Sequence, residues 1–178
     1  LPAGADARAL LDFIDASPTP WHAAHNAAAW LERAGWRRLD EGARWTLRPG
    51  EGVYLLRDDS ALIAMRPGLG ALAEHGWRLV AAHTDSPGLR LKTQPAQARQ
   101  GLLTLGVEVY GSPILPTFTD RDLGLAGRVA VRTPTGIQSR LVRFDEPLAR
   151  LPNLAIHLNR KVNTDGLHFN AQQHGNAV

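Results

Sequence analysis

The apolar run Arg78-Leu79-Val80-Ala81-Ala82 ends in the polar string His83-Thr84-Asp85-Ser86-Pro87-Gly88. This junction constrains the fold more than any other stretch. A short apolar run bounded by turn residues reads as a buried strand. Open α/β sheets place their sites just outside the carboxyl ends of such strands. If the extended geometry persists for two more residues, His83 and Asp85 project to the same side. A neutral imidazole is a good zinc ligand, and a carboxylate beside it can set its tautomer. By spacing alone the pair reads first as a satisfied structural histidine and second as a metal ligand, because so short a motif recurs by chance.

The residues before the junction fit an α/β opening. Leu10, Leu11 and Ile14 give residues 5–15 one apolar helical face. Ser17-Pro18-Thr19-Pro20 stops that helix and starts the next, with Thr19 as cap and Pro20 at the first position, where its missing N–H has no partner anyway. Trp21, Ala24, Ala28 and Leu31 continue at helical spacing to Gly35, a C-terminal stop. Trp21, Trp30 and Trp36 read as packing residues. Val53–Leu56, Ala61–Arg66 and Arg78–Ala82 are the strand candidates.

The texture changes after about Lys92. Leu103, Leu105, Val107 and Val109 alternate with Thr104, Gly106, Glu108 and Tyr110. Residues 128–132 and 140–144 alternate too, with Pro134-Thr135-Gly136 between them. This is the pattern of an antiparallel hairpin with one exposed face. A domain boundary is therefore expected near residues 92–100, giving parts 1–94 and 95–178. The pattern fades from Asn163 onward.

Composition narrows the chemistry. The chain has 178 residues and no cysteine, so disulfides, thiolate zinc sites and cysteine nucleophiles are excluded. A metal must be held by His, Asp or Glu. The net charge of +3 comes from scattered cations, nearly all arginine, with no basic run or aromatic-interleaved stripe. Nucleic acid is not an expected partner. Neither is a membrane, since no apolar stretch approaches spanning length. The start, Leu1-Pro2-Ala3-Gly4, carries no signal-peptide pattern, and a cytoplasmic location is expected.

The other histidines are weaker candidates. His22 and His25 lack the i, i+4 spacing that aims two rings at one metal. His75 precedes Gly76 in a turn, and His157 lies in the apolar run Leu154–Leu158. His168 and His174 fall in the fading tail. Gly68-Leu69-Gly70 lacks the third glycine of a dinucleotide fingerprint, and no phosphate loop or nucleophile elbow is present.

Ala81-Ala82-His83-Thr84-Asp85-Ser86-Pro87-Gly88-Leu89-Arg90-Leu91-Lys92 resembles the block around the first metal ligand of the M18 metallo-aminopeptidases, the aspartyl aminopeptidase family. Ser17-Pro18-Thr19-Pro20-Trp21-His22-Ala23 is similar to the family's N-terminal block. Val107-Glu108-Val109-Tyr110-Gly111, Asp120-Arg121-Asp122-Leu123 and Leu125–Val129 are similar to its middle block, and Pro152–Arg160 to a further one. The resemblance runs colinearly from about residue 10 to 174. Phe118-Thr119, where the family usually has Trp-Phe, and Gly175–Val178 depart from it.

The resemblance implies an α/β proteolytic domain followed by a β-rich dimerisation domain. It implies hydrolysis of N-terminal acidic residues, Asp or Glu, from peptides. The cofactor would be two bridged divalent metals, usually Zn2+, with Co2+ or Mn2+ possible. The partners would be peptide substrates and copies of itself, assembled from dimers into a dodecamer. His83 falls on a metal ligand and Asp85 on the catalytic-site carboxylate that supports it. His157 falls on the segment that sends a histidine into a neighbouring subunit's active site. A catalytic zinc takes about three protein ligands, and this chain has no Glu-Glu pair to supply the family's general base. The resemblance therefore implies an N-terminal portion of such an enzyme carrying part of the site. The alternative is a non-catalytic assembly module in which His83 is vestigial.

Overall fold

The computed structural model describes residues 5–99, 101–167 and 176–177. They form two units: residues 1–86 with 127–142, and residues 87–126 with 143–178. No helix among the described residues is long and apolar enough to cross a membrane.

The first unit opens with two helices, α1 (Ala5–Ala16) and α2 (Pro20–Arg33). Thr19 is extended and caps α2, its hydroxyl accepting from the His22 backbone N–H at 3.3 Å, and Pro20 follows at the first position. Gly35 then takes φ +78°, the left-handed conformation that ends a helix at least cost in glycine. Phe13 of α1 and Trp30 of α2 meet with ring centres 4.9 Å apart.

A three-stranded sheet follows: β1 (Arg37–Arg38), β2 (Val53–Arg57) and β3 (Ala61–Met65), in that order. β1 runs parallel to β2, and β3 antiparallel to it with Arg57 opposite Ala61. Val53 and Leu55 join Leu39 in a small core completed by Leu47 and Met65. Tyr54, on the alternate side, is fully buried and donates its hydroxyl hydrogen bond to Glu32 of α2. Ala23, Ala24 and Ala28 form the buried stripe of α2. Gly52 permits this packing, because a Cβ there would lie 2.5 Å from the Trp36 ring.

The helices and the first two strand candidates lie where the sequence puts them, but Arg78–Ala82 does not. A four-residue helix, α3 (Leu72–His75), precedes it, and Arg78–Ala82 itself is irregular. Leu79 and Val80 are 87% and 99% exposed. The run has the apolar, β-branched character of a strand, but a strand exists only with a ladder partner, and none lies beside it among the described residues.

The second unit contains β4 (Gly88–Arg99) antiparallel to β5 (Leu102–Tyr110), with a register shift between Leu91 and Ala96. Sequence reasoning misses β4, because Thr93-Gln94-Pro95-Ala96-Gln97 shows no alternation. A short strand at Asn176–Ala177 pairs with Leu105 and Gly106 on the other edge of β5. The expected hairpin is present and longer than its pattern: β6 (Asp122–Thr133) and β7 (Gly136–Arg150) form a two-stranded ribbon. Gly127–Val142, the turn end of this ribbon, groups with the first unit. At its other end Arg150 pairs with Asp122 at 2.9 Å, and the Asn153 backbone N–H donates to Asp120 at 2.9 Å.

Candidate functional site

His83 and Asp85 come together, although spacing alone leaves open whether they meet and the strand expected before them is absent among the described residues. His83 Nδ1 lies 2.9 Å from Asp85 Oδ1. A carboxylate only accepts hydrogen bonds, so the proton sits on Nδ1 and, in the neutral ring, Nε2 keeps its lone pair for a metal. The imidazole is 90% exposed whereas the Asp85 side chain is 29% exposed. This is the donor arrangement that metal-bound histidines adopt, so the pair fits zinc as one ligand and its supporting carboxylate. No group of three or more His, Asp or Glu side chains able to hold a metal is present among the described residues.

Thr84, between the two, reaches elsewhere. Its hydroxyl donates to the Ser60 carbonyl at 2.8 Å, in the β2–β3 turn. That turn holds Asp58 and Asp59 at φ +50° and +53°, conformations costly to residues with a Cβ. Arg128 donates to the Asp58 carbonyl at 3.0 Å and to its carboxylate at 3.1 Å, while its guanidinium carbon lies 5.0 Å from the centre of the Trp21 ring. Sequence reasoning misses both contacts. They join residues 24 and 70 positions apart, and no local pattern reports such a pair.

The remaining candidates have other surroundings or fall outside the described residues. His157 belongs to the second unit and sits in an exposed turn, where the Leu158 N–H donates to the Ala155 carbonyl. Its apolar neighbours Leu154 and Leu158 are exposed as well, so the histidine is not packed into a core. His22 serves the start of α2, with Nδ1 2.7 Å from the Thr19 hydroxyl. Arg90 stacks on Tyr110, 3.4 Å from the ring centre, on neighbouring strands. His168 and His174 lie outside the described residues.

Comparison with known proteins places the chain in a family. The model of the Aminopeptidase I zinc metalloprotease family (M18) matches residues 13–178. A protein of Stutzerimonas stutzeri (strain A1501) named "Probable M18 family aminopeptidase 2" is 52% identical over 163 residues, covering 92% of this chain and 38% of that protein. A chain in the cryo-EM structure of the Ape4 and Nbr1 complex superposes with a TM-score of 0.86 at 38% identity, covering 96% of this chain and 33% of that one. A chain of the S. cerevesiae mApe1 dodecamer superposes with a TM-score of 0.79 at 28% identity, covering 86% of this chain and 36% of that one. The chain thus spans between 33% and 38% of the length of these relatives. With the family model matched from Phe13 to the last residue and a relative more than half identical, the chain belongs to the M18 family of zinc metallo-aminopeptidases.

Proposed function

We propose that the chain supplies the first metal ligand of a dinuclear zinc aminopeptidase that removes N-terminal acidic residues, Asp or Glu, from peptides. The observation that carries this reading is the His83–Asp85 hydrogen bond at 2.9 Å, which leaves Nε2 exposed and available. His83 would hold zinc through Nε2. Asp85, accepting the hydrogen bond from Nδ1–H, fixes the ring's tautomer. Bound zinc supplies Lewis acidity at the scissile carbonyl and lowers the pKa of the attacking water. The other ligands and the general base belong to the rest of the enzyme, consistent with the share of the relatives' length that this chain spans.

On this reading residues 1–94 open the proteolytic domain and 95–178 belong to the dimerisation domain. His157 then serves a neighbouring subunit's site, in a homo-oligomer supported by the dodecameric state named for the S. cerevesiae relative. The test is release of the N-terminal residue from Asp- and Glu-initiated peptides by the complete, zinc-loaded protein. His83→Ala is expected to abolish turnover, and undiminished turnover in that variant would refute the ligand role.

A second reading, an assembly module without catalysis, draws on the incomplete ligand set among the described residues. Metal analysis beside light scattering separates the two. Two tightly held metals per complete chain support the enzyme, while oligomers without stoichiometric metal support the module.

A further inference from the structure

We propose that Thr84 and Arg128 are positioning residues for the His83 ligand, acting through the β2–β3 turn. The inference rests on the metal-ligand reading of His83 and adds what holds that ligand in place. The His83 ring is almost fully exposed, so contacts made by its neighbours in the chain are what can fix its position. Whatever freedom a ligand's segment keeps must be given up when metal binds, so a tie made beforehand favours binding. The Thr84 hydroxyl ties this segment to the Ser60 carbonyl at 2.8 Å, one residue from the ligand on one side and one from its supporting carboxylate on the other.

An anchor is useful only if it is itself fixed. Ser60 closes a turn whose two aspartates occupy the left-handed region at φ +50° and +53°. Arg128 grips that turn twice, through the Asp58 carbonyl and the Asp58 carboxylate, at 3.0 and 3.1 Å. Its guanidinium lies over the face of Trp21, next to the capped start of α2, where the ring's negative face favours a cation. The side chain of Arg128 is only 26% exposed. The contacts therefore form one continuous path: Trp21, Arg128, Asp58, Ser60, Thr84, and then the His83–Asp85 pair. All of these residues belong to the first unit. Arg128 enters it from the ribbon, 70 residues beyond Asp58.

The experiment is zinc affinity of the complete protein, stripped and titrated with zinc against a competing chelator. Thr84→Val, which keeps the shape and removes the hydroxyl, is expected to weaken zinc binding about tenfold, the usual scale for a group that orients a ligand. Thr84→Ser, which keeps the hydroxyl, is expected to stay within about twofold of the parent. Arg128→Gln, far from Thr84 in the chain, should weaken binding in the same direction, by about threefold or more. A loss of folding stability in these variants with zinc affinity unchanged would overturn the proposal. His83→Ala identifies which claim fails. If that variant loses zinc while Thr84→Val binds normally, the positioning role is wrong and the ligand assignment stands. If His83→Ala binds zinc normally, both are wrong.

Discussion

Asp85 decides what His83 can do. Accepting the hydrogen bond from Nδ1–H at 2.9 Å commits the neutral ring to presenting Nε2 outward. Asp85→Asn keeps the size and removes the charge, and is expected to lower zinc affinity and turnover of the complete protein about ten- to hundredfold. The direct measurement is kcat/KM on an Asp-initiated peptide, and an unchanged value would show that the ring needs no carboxylate. The sequence marks His83 and Asp85 as candidates through their motif, but their direct hydrogen bond cannot be read from spacing. The Thr84–Ser60 and Arg128–Asp58 contacts are not legible there either, because hydroxyls and arginines are common and their partners are chosen by tertiary folding.

Glu51 offers a second residue-level test. Arg37 bonds both its carboxylate oxygens, at 2.7 and 3.1 Å, and the Arg48 backbone N–H adds a third contact at 3.2 Å. Chiefly through Arg37, and next through Arg48, the Glu51 carboxyl is held at about 2 against an ordinary 4.5. A carboxylate with a lowered folded pKa stabilises the fold above its unfolded value. That contribution fades as pH falls from about 4.5 to about 2. The Tm difference between the parent and Glu51→Gln is therefore expected to be constant above about pH 5 and to close on acidification. A difference independent of pH would contradict the pairing.

At the scale of elements, what the sequence makes legible depends on how local the cause is. The start of α2 is readable because a cap and a first-turn proline act within three residues. Removing the cap with Thr19→Ala should cost about 1 kcal/mol, measurable by urea denaturation of the complete protein. An unchanged midpoint would mean that the hydrogen bond to the His22 N–H contributes nothing. The β6–β7 ribbon is readable from its alternation and its Pro-Thr-Gly turn. β4 is not, because its middle is polar and it becomes a strand only by pairing with β5. Arg78–Ala82 shows the reverse case, a strand-like composition with no ladder beside it.

That run is also the clearest statement about the whole molecule. Leu79 and Val80 stand almost fully in solvent, in a chain that spans 38% of its bacterial relative. A contiguous apolar segment left this exposed is out of place on a finished surface. In the complete protein it is expected to be covered. Val80→Asp should then destabilise the complete enzyme by roughly 3 kcal/mol or more, because it buries an unpaired charge. If the segment stays in water, the same change should stay within about 0.5 kcal/mol.

The account depends most on one bond, from His83 to a zinc ion. Diffraction from zinc-loaded crystals of the complete protein, collected on both sides of the zinc absorption edge, would locate the metal without reference to activity. The account predicts an anomalous peak about 2.1 Å from His83 Nε2, with Nδ1 still bonded to Asp85. Fully occupied zinc held elsewhere, with the His83 ring bound only to protein or water, would contradict it.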